Sequence, residues 1–579
     1  MKRFLVASCL ALAGWASADI NYTVTVNTTE PTALHVKMVI PNTPLGAIVQ
    51  IPNWAPGSYR LVDNFRNVKN FKATGADGKD LAVSNTTHTW TVQPSPTTTI
   101  EYDMPLVVVD GAVHWSGPST YMYVVDRKTE KCTLRVEAPQ NGIAYTGLVG
   151  VGSQFSAPDY DVLADNPVSV GDLRVLSYVS RGKTHFIVMR GKAKADVNGD
   201  YLVKACKHVS DAQSMFFGGG FPFTHYIWHF NVNDSPDGAG GLEHLNSTQI
   251  SLASGVGPRA VSVISHEFFH LWNVKRIRSN VLGPFDYTQL PKTGALWWLE
   301  GVTDYYAHTF LYRYGWWGRD MYFKDIIDNL NSVANNPAHL EVSPHDASYR
   351  VGEAANGRGN SQGYRISYYP YGWISGFVLD VELRDRTKGK YSLDDVEKAL
   401  GEMCKDDQPG FQEDEIRTQL VKFGGYEMGL FYDDVIRKSG PLRVEAQLGK
   451  LGLRIIETDQ QFANFGFGGQ VTPDVGYVVG FADGAAKDKL MARDVIVKFG
   501  DVEAKGTRRA IQTAATDFFA KAKVGTSVKL TVTRAGQTVE VELTPIAGIR
   551  KVKSIEEMAN ATPAQIAFRN DFLRVFPVK

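Results

Sequence analysis

Cysteine is scarce in this chain: four in 579 residues, one of them, Cys9, inside an N-terminal apolar run. Cys132, Cys206 and Cys404 remain, an odd and widely spaced set without a CxxC pair. A disulfide framework is therefore excluded, at most one bridge can form, and no thiolate metal or redox motif is present. Charge of one sign is missing too. Lys+Arg and Asp+Glu each number 61, so no global field draws the chain to nucleic acid or an anionic surface. Beyond the N-terminal run no apolar stretch reaches about 18 residues, so no membrane span is expected. Core material, by contrast, is ample. The chain is 44% hydrophobic, 11% aromatic and 21% charged, which excludes whole-chain disorder, collagen and coiled coil. At roughly 150 residues per domain, its length gives about three to four domains.

Lys2 and Arg3 precede an apolar run from Phe4 to Trp15, which ends in Ala16-Ser17-Ala18. A charged start, a short apolar run and an A-x-A site make a cleavable signal peptide over 1–18. Export to the periplasm or the medium is expected.

From Asp19 to about residue 190 the pattern has period two. Tyr22, Val24 and Val26 alternate with Thr, and Leu34, Val36, Met38 and Ile40 alternate along the next run. An antiparallel β domain over 19–190 is expected. The pattern then turns helical. Ala260 to Ile277 follows Gly257-Pro258, a second helix spans Leu296 to Tyr314, and a third starts near Gly372. A polar Gly/Asn/Ser-rich stretch at roughly 340–366 reads as a functional or mobile loop. Ser392-Leu393-Asp394-Asp395 has the form of a capping-box start. From about 447 to 548 the chain returns to β structure. There Val528, Leu530 and Val532 pair across Ala535-Gly536 with Val539, Val541 and Leu543. Thr562-Pro563 opens a tail helix.

The sharpest feature is His266-Glu267-Phe268-Phe269-His270. On a helix, residues four apart share a face, so both imidazoles can meet one cation. Glu267 then stands beside the metal, placed to take a proton from an attacking water. Trp298-Leu299-Glu300-Gly301 follows on the second helix, and Glu300 is the candidate third ligand. Asp304, four residues on, is placed to accept the other ring N–H of a ligand histidine. The set His266, His270 and Glu300 leaves a fourth position open, which suits one catalytic Zn²⁺ per chain. The competing zinc-protease layout needs Gly and His at positions held here by Asn273 and Arg276, so that class is excluded.

Upstream, Gly240-Gly241-Leu242-Glu243-His244 follows a probable strand from Tyr226 to Val232. Glycines beside an acid on an edge strand let a substrate backbone come close, and the acid could pair with a free α-ammonium. Spacing alone favours a turn with an exposed glutamate. The cations Lys275, Arg276 and Arg278 read as a solvated helix end that suits the helix dipole.

The order GGLEH, HEFFHLWN, WLEGVTDYY, with Trp54-Ala55-Pro56-Gly57-Ser58-Tyr59 upstream, resembles the M61 family of gluzincin glycyl aminopeptidases. The resemblance implies a multidomain α+β chain: a β-rich N-terminal domain at 19–190, a thermolysin-like, mostly helical zinc metallopeptidase domain at 191–446, a PDZ-like β domain at 447–548 and a helical tail at 549–579. It implies that Glu243 grips the substrate amine beside Gly240 and Gly241. It also implies that a tyrosine before the third helix supports the oxyanion. Counting back three from Gly372 gives Tyr369, with Tyr368 as the alternative, since Tyr371 stands where the relatives have Lys. Phe465-Gly466-Phe467-Gly468 and Ala492-Arg493-Asp494-Val495-Ile496 resemble a PDZ module, with Arg493 in place of a usual glycine. Such modules take a peptide as an added strand. The expected function is an exported zinc aminopeptidase acting on peptides with a free N-terminus, with Gly or Ala preferred by resemblance. The alternatives are a zinc endopeptidase, in which Glu243 is incidental, and a non-catalytic PDZ-type peptide-binding protein.

Overall fold

A computed structural model describes residues 19–578 except 140–141, 234–239, 254, 352–365 and 406–409. Residues 1–18, where a signal peptide is expected, and residues 352–365 of the polar stretch lie outside the described residues. The chain divides into two compact units. The first holds residues up to Ala55, Val62–Val108 and Val113–Gly171. The second holds Pro56–Leu61, Val109–Ala112 and everything from Asp172 on.

In the first unit the period-two pattern becomes strands. Along Ile20–Asn27, Ile20, Tyr22, Val24 and Val26 are buried while their neighbours face outward. This strand is central in a seven-stranded sheet, antiparallel to Ala33–Pro41 but parallel to Cys132–Glu137. The expected all-antiparallel sheet thus has one parallel pairing. Cys132 is buried there, and Cys206 and Cys404 are also free thiols.

The β domain also ends earlier than expected. Arg174–Ser180 and Lys183–Arg190 belong to the second unit, in a five-stranded sheet with His225–Asn233, Ser247–Ala253 and Gly240–Glu243 in that order. Lys183–Arg190, His225–Asn233 and Ser247–Ala253 run parallel, and Gly240–Glu243 closes the sheet as an antiparallel edge. Helix Gly199–Phe216 makes the crossover between the first two parallel strands. Tyr226, Trp228, Phe230 and Val232 of His225–Asn233 join the main core, and the ring centroids of Tyr226 and Trp228 lie 5.0 Å and 5.1 Å from that of Phe268 on the next helix.

Helix Tyr368–Thr387 runs through the middle of the helical region. Trp373, Ile374, Phe377, Val378, Leu379, Val381 and Leu383 are all buried, and a helix apolar on every side has to be enclosed. Further on, a six-stranded sheet and helix Arg508–Lys521 have their own core of Phe465, Val479, Ile496, Phe499, Ile511 and Leu530. A long two-stranded ribbon, Leu453–Asn464 with Ile546–Glu557, leads in and out of it. The ribbon carries strand structure beyond the expected boundary at 548. The tail helix Pro563–Phe572 packs Phe572 into the main core, its ring centroid 5.9 Å from that of Phe377.

Candidate metal centre and active site

The helix that leads into the candidate ligands His266 and His270 is Pro258–Phe269, opened by Gly257 and by a proline whose missing N–H costs nothing at a first turn. It stops at His270 rather than running on to Ile277. His270 Nδ1 bonds the Asn273 carbonyl at 2.6 Å, and Arg276 donates to the carbonyls of Leu271 at 2.7 Å and Leu245 at 3.0 Å. These bonds turn the chain back under the helix end. Lys275 is buried, so the three cations are not a solvated helix end. Ser265 fixes the helix from behind: its hydroxyl donates to the Ala307 carbonyl at 2.9 Å, and Gln213 donates to the Ser265 carbonyl at 2.7 Å.

The second ligand segment begins as a π-helical turn, Trp297–Val302, and continues as the α-helix Thr303–Arg313. Single wide turns of this kind recur at functional sites because they redirect one side chain without ending the helix. Here the turn carries Glu300. Glycines set its depth. A Cβ on Gly372 would lie 2.1 Å from the Trp297 carbonyl oxygen, and one on Gly301 would lie 2.4 Å from the Gly372 Cα. Only a Gly–Gly crossing lets the turn and helix Tyr368–Thr387 meet backbone to backbone. That crossing brings the two tyrosines at the helix start towards Glu300.

His266, His270 and Glu300 converge, with one donor atom of each within 4.8 Å of the others. His266 Nδ1 bonds Asp304 Oδ1 at 2.8 Å, and His270 Nδ1 is held by the Asn273 carbonyl. With both Nδ1 atoms acting as donors, both Nε2 atoms present lone pairs. These face each other at 2.8 Å, and Glu300 Oε2 stands 3.4 Å and 3.2 Å from them. Three acceptors pointing at one place need a cation. Bonds of 2.0–2.1 Å in a tetrahedron would separate the ligand atoms by roughly 3.3 Å, so the set fits zinc. Burial works against the Asp304 carboxylate, but the His266 ring beside it still holds its pKa below the ordinary value.

Glu267 is buried against the edge strand. A Cβ on Gly241 would be 2.3 Å from the Glu267 Cδ, so glycine is required there. Burial pushes the Glu267 carboxyl up to about 7, against the pull of His266 and His270. Its Oε2 has no hydrogen-bond partner among the described residues. A base near neutrality with an open acceptor is suited to receiving a proton from water.

Glu243 is not the exposed turn acid that spacing favours. It lies on the edge strand, only 4% exposed. One carboxylate oxygen of Glu243, one of Glu267 and a ring nitrogen of His270 lie within 4.8 Å of one another. Among the described residues, nothing lies within 4 Å of where a Gly240 Cβ would be. Tyr369 lies with its ring centroid 5.8 Å from that of His266 and stacks on Tyr368 at 4.9 Å. Burial first, then the charge of Glu300, raise both phenols well above the ordinary range, so both hydroxyls stay protonated donors. Tyr371 turns away and donates to the carbonyls of His339 and Val342. The Asn273 carbonyl that orients His270 has no counterpart in the sequence reading, because backbone acceptors leave no residue-type signal.

The chain matches the M61 glycyl aminopeptidase family over residues 259–374 and the peptidase M61 N-terminal domain over 21–172. No curated protein matches it by sequence. An aminopeptidase N family protein from Idiomarina loihiensis has a similar structure, with a TM-score of 0.75 at 22% identity, covering 96% of this chain and 100% of that one. An M1 zinc metallopeptidase from Deinococcus radiodurans bound to Tyr-Ser-Ala gives a TM-score of 0.45 at 14% identity, covering 73% of this chain and 94% of that one. Family and fold together support a peptidase.

Proposed function

We propose that this chain, whose matched segments are those of the M61 family, is an exported zinc aminopeptidase that removes single N-terminal residues, Gly or Ala, from peptides. The observation that carries this reading is the placement of Glu243. In an amino-acid residue the amine nitrogen lies roughly 2.5 Å from the carbonyl carbon. An acid within 4.8 Å of both the base and a ligand histidine therefore meets an ammonium one residue from the bond that is cut. A substrate backbone can lie along the open edge beside Gly240 and Gly241.

When bound, zinc supplies Lewis-acid polarisation of the carbonyl and a more acidic water. Every other role falls to this chain. His266, His270 and Glu300 hold the ion, and Asp304 fixes the His266 tautomer. Glu267 takes the water's proton and passes it to the leaving amine. Tyr369 donates to the oxygen on which charge develops, and Glu243 pairs with the ammonium. The PDZ-like module is a candidate holder of a further peptide segment. No helix among the described residues is long and apolar enough to cross a membrane.

The reading is tested by kcat/KM of one peptide with its N-terminus free and acetylated. The free form should be preferred by at least about 10²-fold, because acetylation removes the charge and adds bulk at Glu243. Equal values, or efficient internal cleavage of a long blocked peptide, would leave an endopeptidase.

Tyr369→Phe should lower kcat by roughly 10²-fold with little change in KM, since an oxyanion contact is made only in the transition state. Tyr368→Phe serves as the comparison. Impairment confined to that variant would assign the oxyanion role to Tyr368.

A further inference from the structure

The Trp54–Tyr59 motif, part of the family resemblance, lies far upstream in the chain from the residues assigned to the reaction. Its last residues belong to the second unit, which includes Pro56–Leu61. Gly57 adopts φ +86°, and a Cβ there would lie 2.7 Å from both carboxylate oxygens of Glu243 and 2.5 Å from Leu242 Cδ1. The backbone of Gly57 therefore lies directly against the acid that faces the substrate amine. Two residues on, Tyr59 is buried at 3% exposure and holds φ +44°, a left-handed conformation uncommon for a bulky side chain. Such an outlier persists where its surroundings over-determine it, and outliers of this kind cluster at functional sites. Burial, then the charges of Glu300 and Glu243, raise the Tyr59 phenol well above its ordinary value, and Tyr368 contributes in the same direction. Tyr59 belongs to the same buried core as Phe268 and Trp298, against which Tyr368 also packs.

We infer that Gly57 and Tyr59 form the wall of the subsite for the substrate's N-terminal residue. Gly57 is a positioning residue for Glu243, and Tyr59 limits the size of the side chain beside the ammonium. The inference rests on the aminopeptidase reading of Glu243. It extends that reading by making the substrate class a matter of a loop far upstream in the chain. With glycine as substrate nothing projects toward Tyr59, alanine adds one methyl group, and a leucine side chain would need the space the ring fills.

The test uses the full-length exported protein with zinc content and thermal midpoint measured on every variant. Gly57→Ala should raise KM for a free dipeptide at least tenfold, leave kcat within about threefold and leave zinc unchanged. A loss of fold alone would not split KM from kcat in this way. Tyr59→Ala, independent of strain at Gly57, should raise kcat/KM for an N-terminal leucine relative to glycine at least tenfold, whereas Tyr59→Phe should keep the wild-type ratio. Folded, zinc-loaded variants with wild-type KM and an unchanged leucine-to-glycine ratio would overturn this inference while leaving the aminopeptidase standing. A wild-type enzyme indifferent to N-terminal acetylation would overturn both.

Discussion

Glu267→Gln is expected to keep its zinc and lose turnover by roughly 10²–10⁴-fold, the span of general acid–base catalysis. The geometry makes this substitution unusually clean. The side chain lies on Gly241, where a Cβ would already be 2.3 Å from the Glu267 Cδ, so only an isosteric group fits. Glutamine keeps the shape. The ligand histidines are oriented by Asp304 and the Asn273 carbonyl, neither of which depends on Glu267. Metal affinity should therefore survive. What the amide cannot do is accept a proton at neutral pH. The carboxylate can, because burial pushes it up to about 7. The check is metal content by elemental analysis beside kcat on the same preparation. A zinc-loaded variant with more than about a tenth of wild-type kcat would remove Glu267 from the chemistry.

Why this much was legible in the sequence, and no more, follows from the range over which each signal acts. Alternation along Ile20–Asn27 is local, and burial of Tyr22, Val24 and Val26 follows from it directly. Pairing partners are not local. The parallel register of Ile20 with Cys132 joins segments whose composition says only that each is a strand. The same limit moved the end of the β domain: Lys183–Arg190, with the apolar run Phe186 to Met189, reads as one more strand, yet it pairs in parallel with His225–Asn233. The metal-ligand helix shows the converse. Leu271, Val274 and Ile277 continue a helical spacing, but bonds from His270 and Arg276 to backbone carbonyls end the helix early. Tertiary hydrogen bonds override periodicity there.

Within the site, residue type mattered more than spacing. The two histidines, Glu267, Glu300 and Asp304 stand out as candidates because metal and proton chemistry call for those side chains, and the structure brings His266, His270, Glu300 and Asp304 together. The features that set their distances are glycines, whose requirement is visible only in space. Gly301 against Gly372, Gly241 beneath Glu267 and Gly57 against Glu243 are three such contacts. Arg493 illustrates the opposite case. It replaces an expected glycine and adopts φ +75°, while its neighbour Asp494 is clamped by Arg534 at 2.9 Å and 2.7 Å. The ion pair holds the turn in a conformation that glycine would adopt without strain.

Glu243→Ala should lower kcat/KM for a free dipeptide on the order of 10²–10³-fold, while the poor rate on its acetylated form does not fall, since truncation frees room where the acetyl group sits. An ammonium drawn into a cleft among buried groups must be paired, and removing its partner costs about 3–5 kcal/mol. Glu267 lies within reach of the same space but is committed to the water's proton, and Glu300 points at the ligand histidines. Neither can take over without losing its own task. On the proposed reading Glu243 touches the amine and not the reacting carbonyl, so its loss should erase the distinction between free and blocked substrates rather than the hydrolysis itself. The two rates therefore converge, mainly through the fall on the free substrate. An equal fall on both substrates would mean that Glu243 holds the edge strand or the base in place. In that case the amine would have to be read by another group.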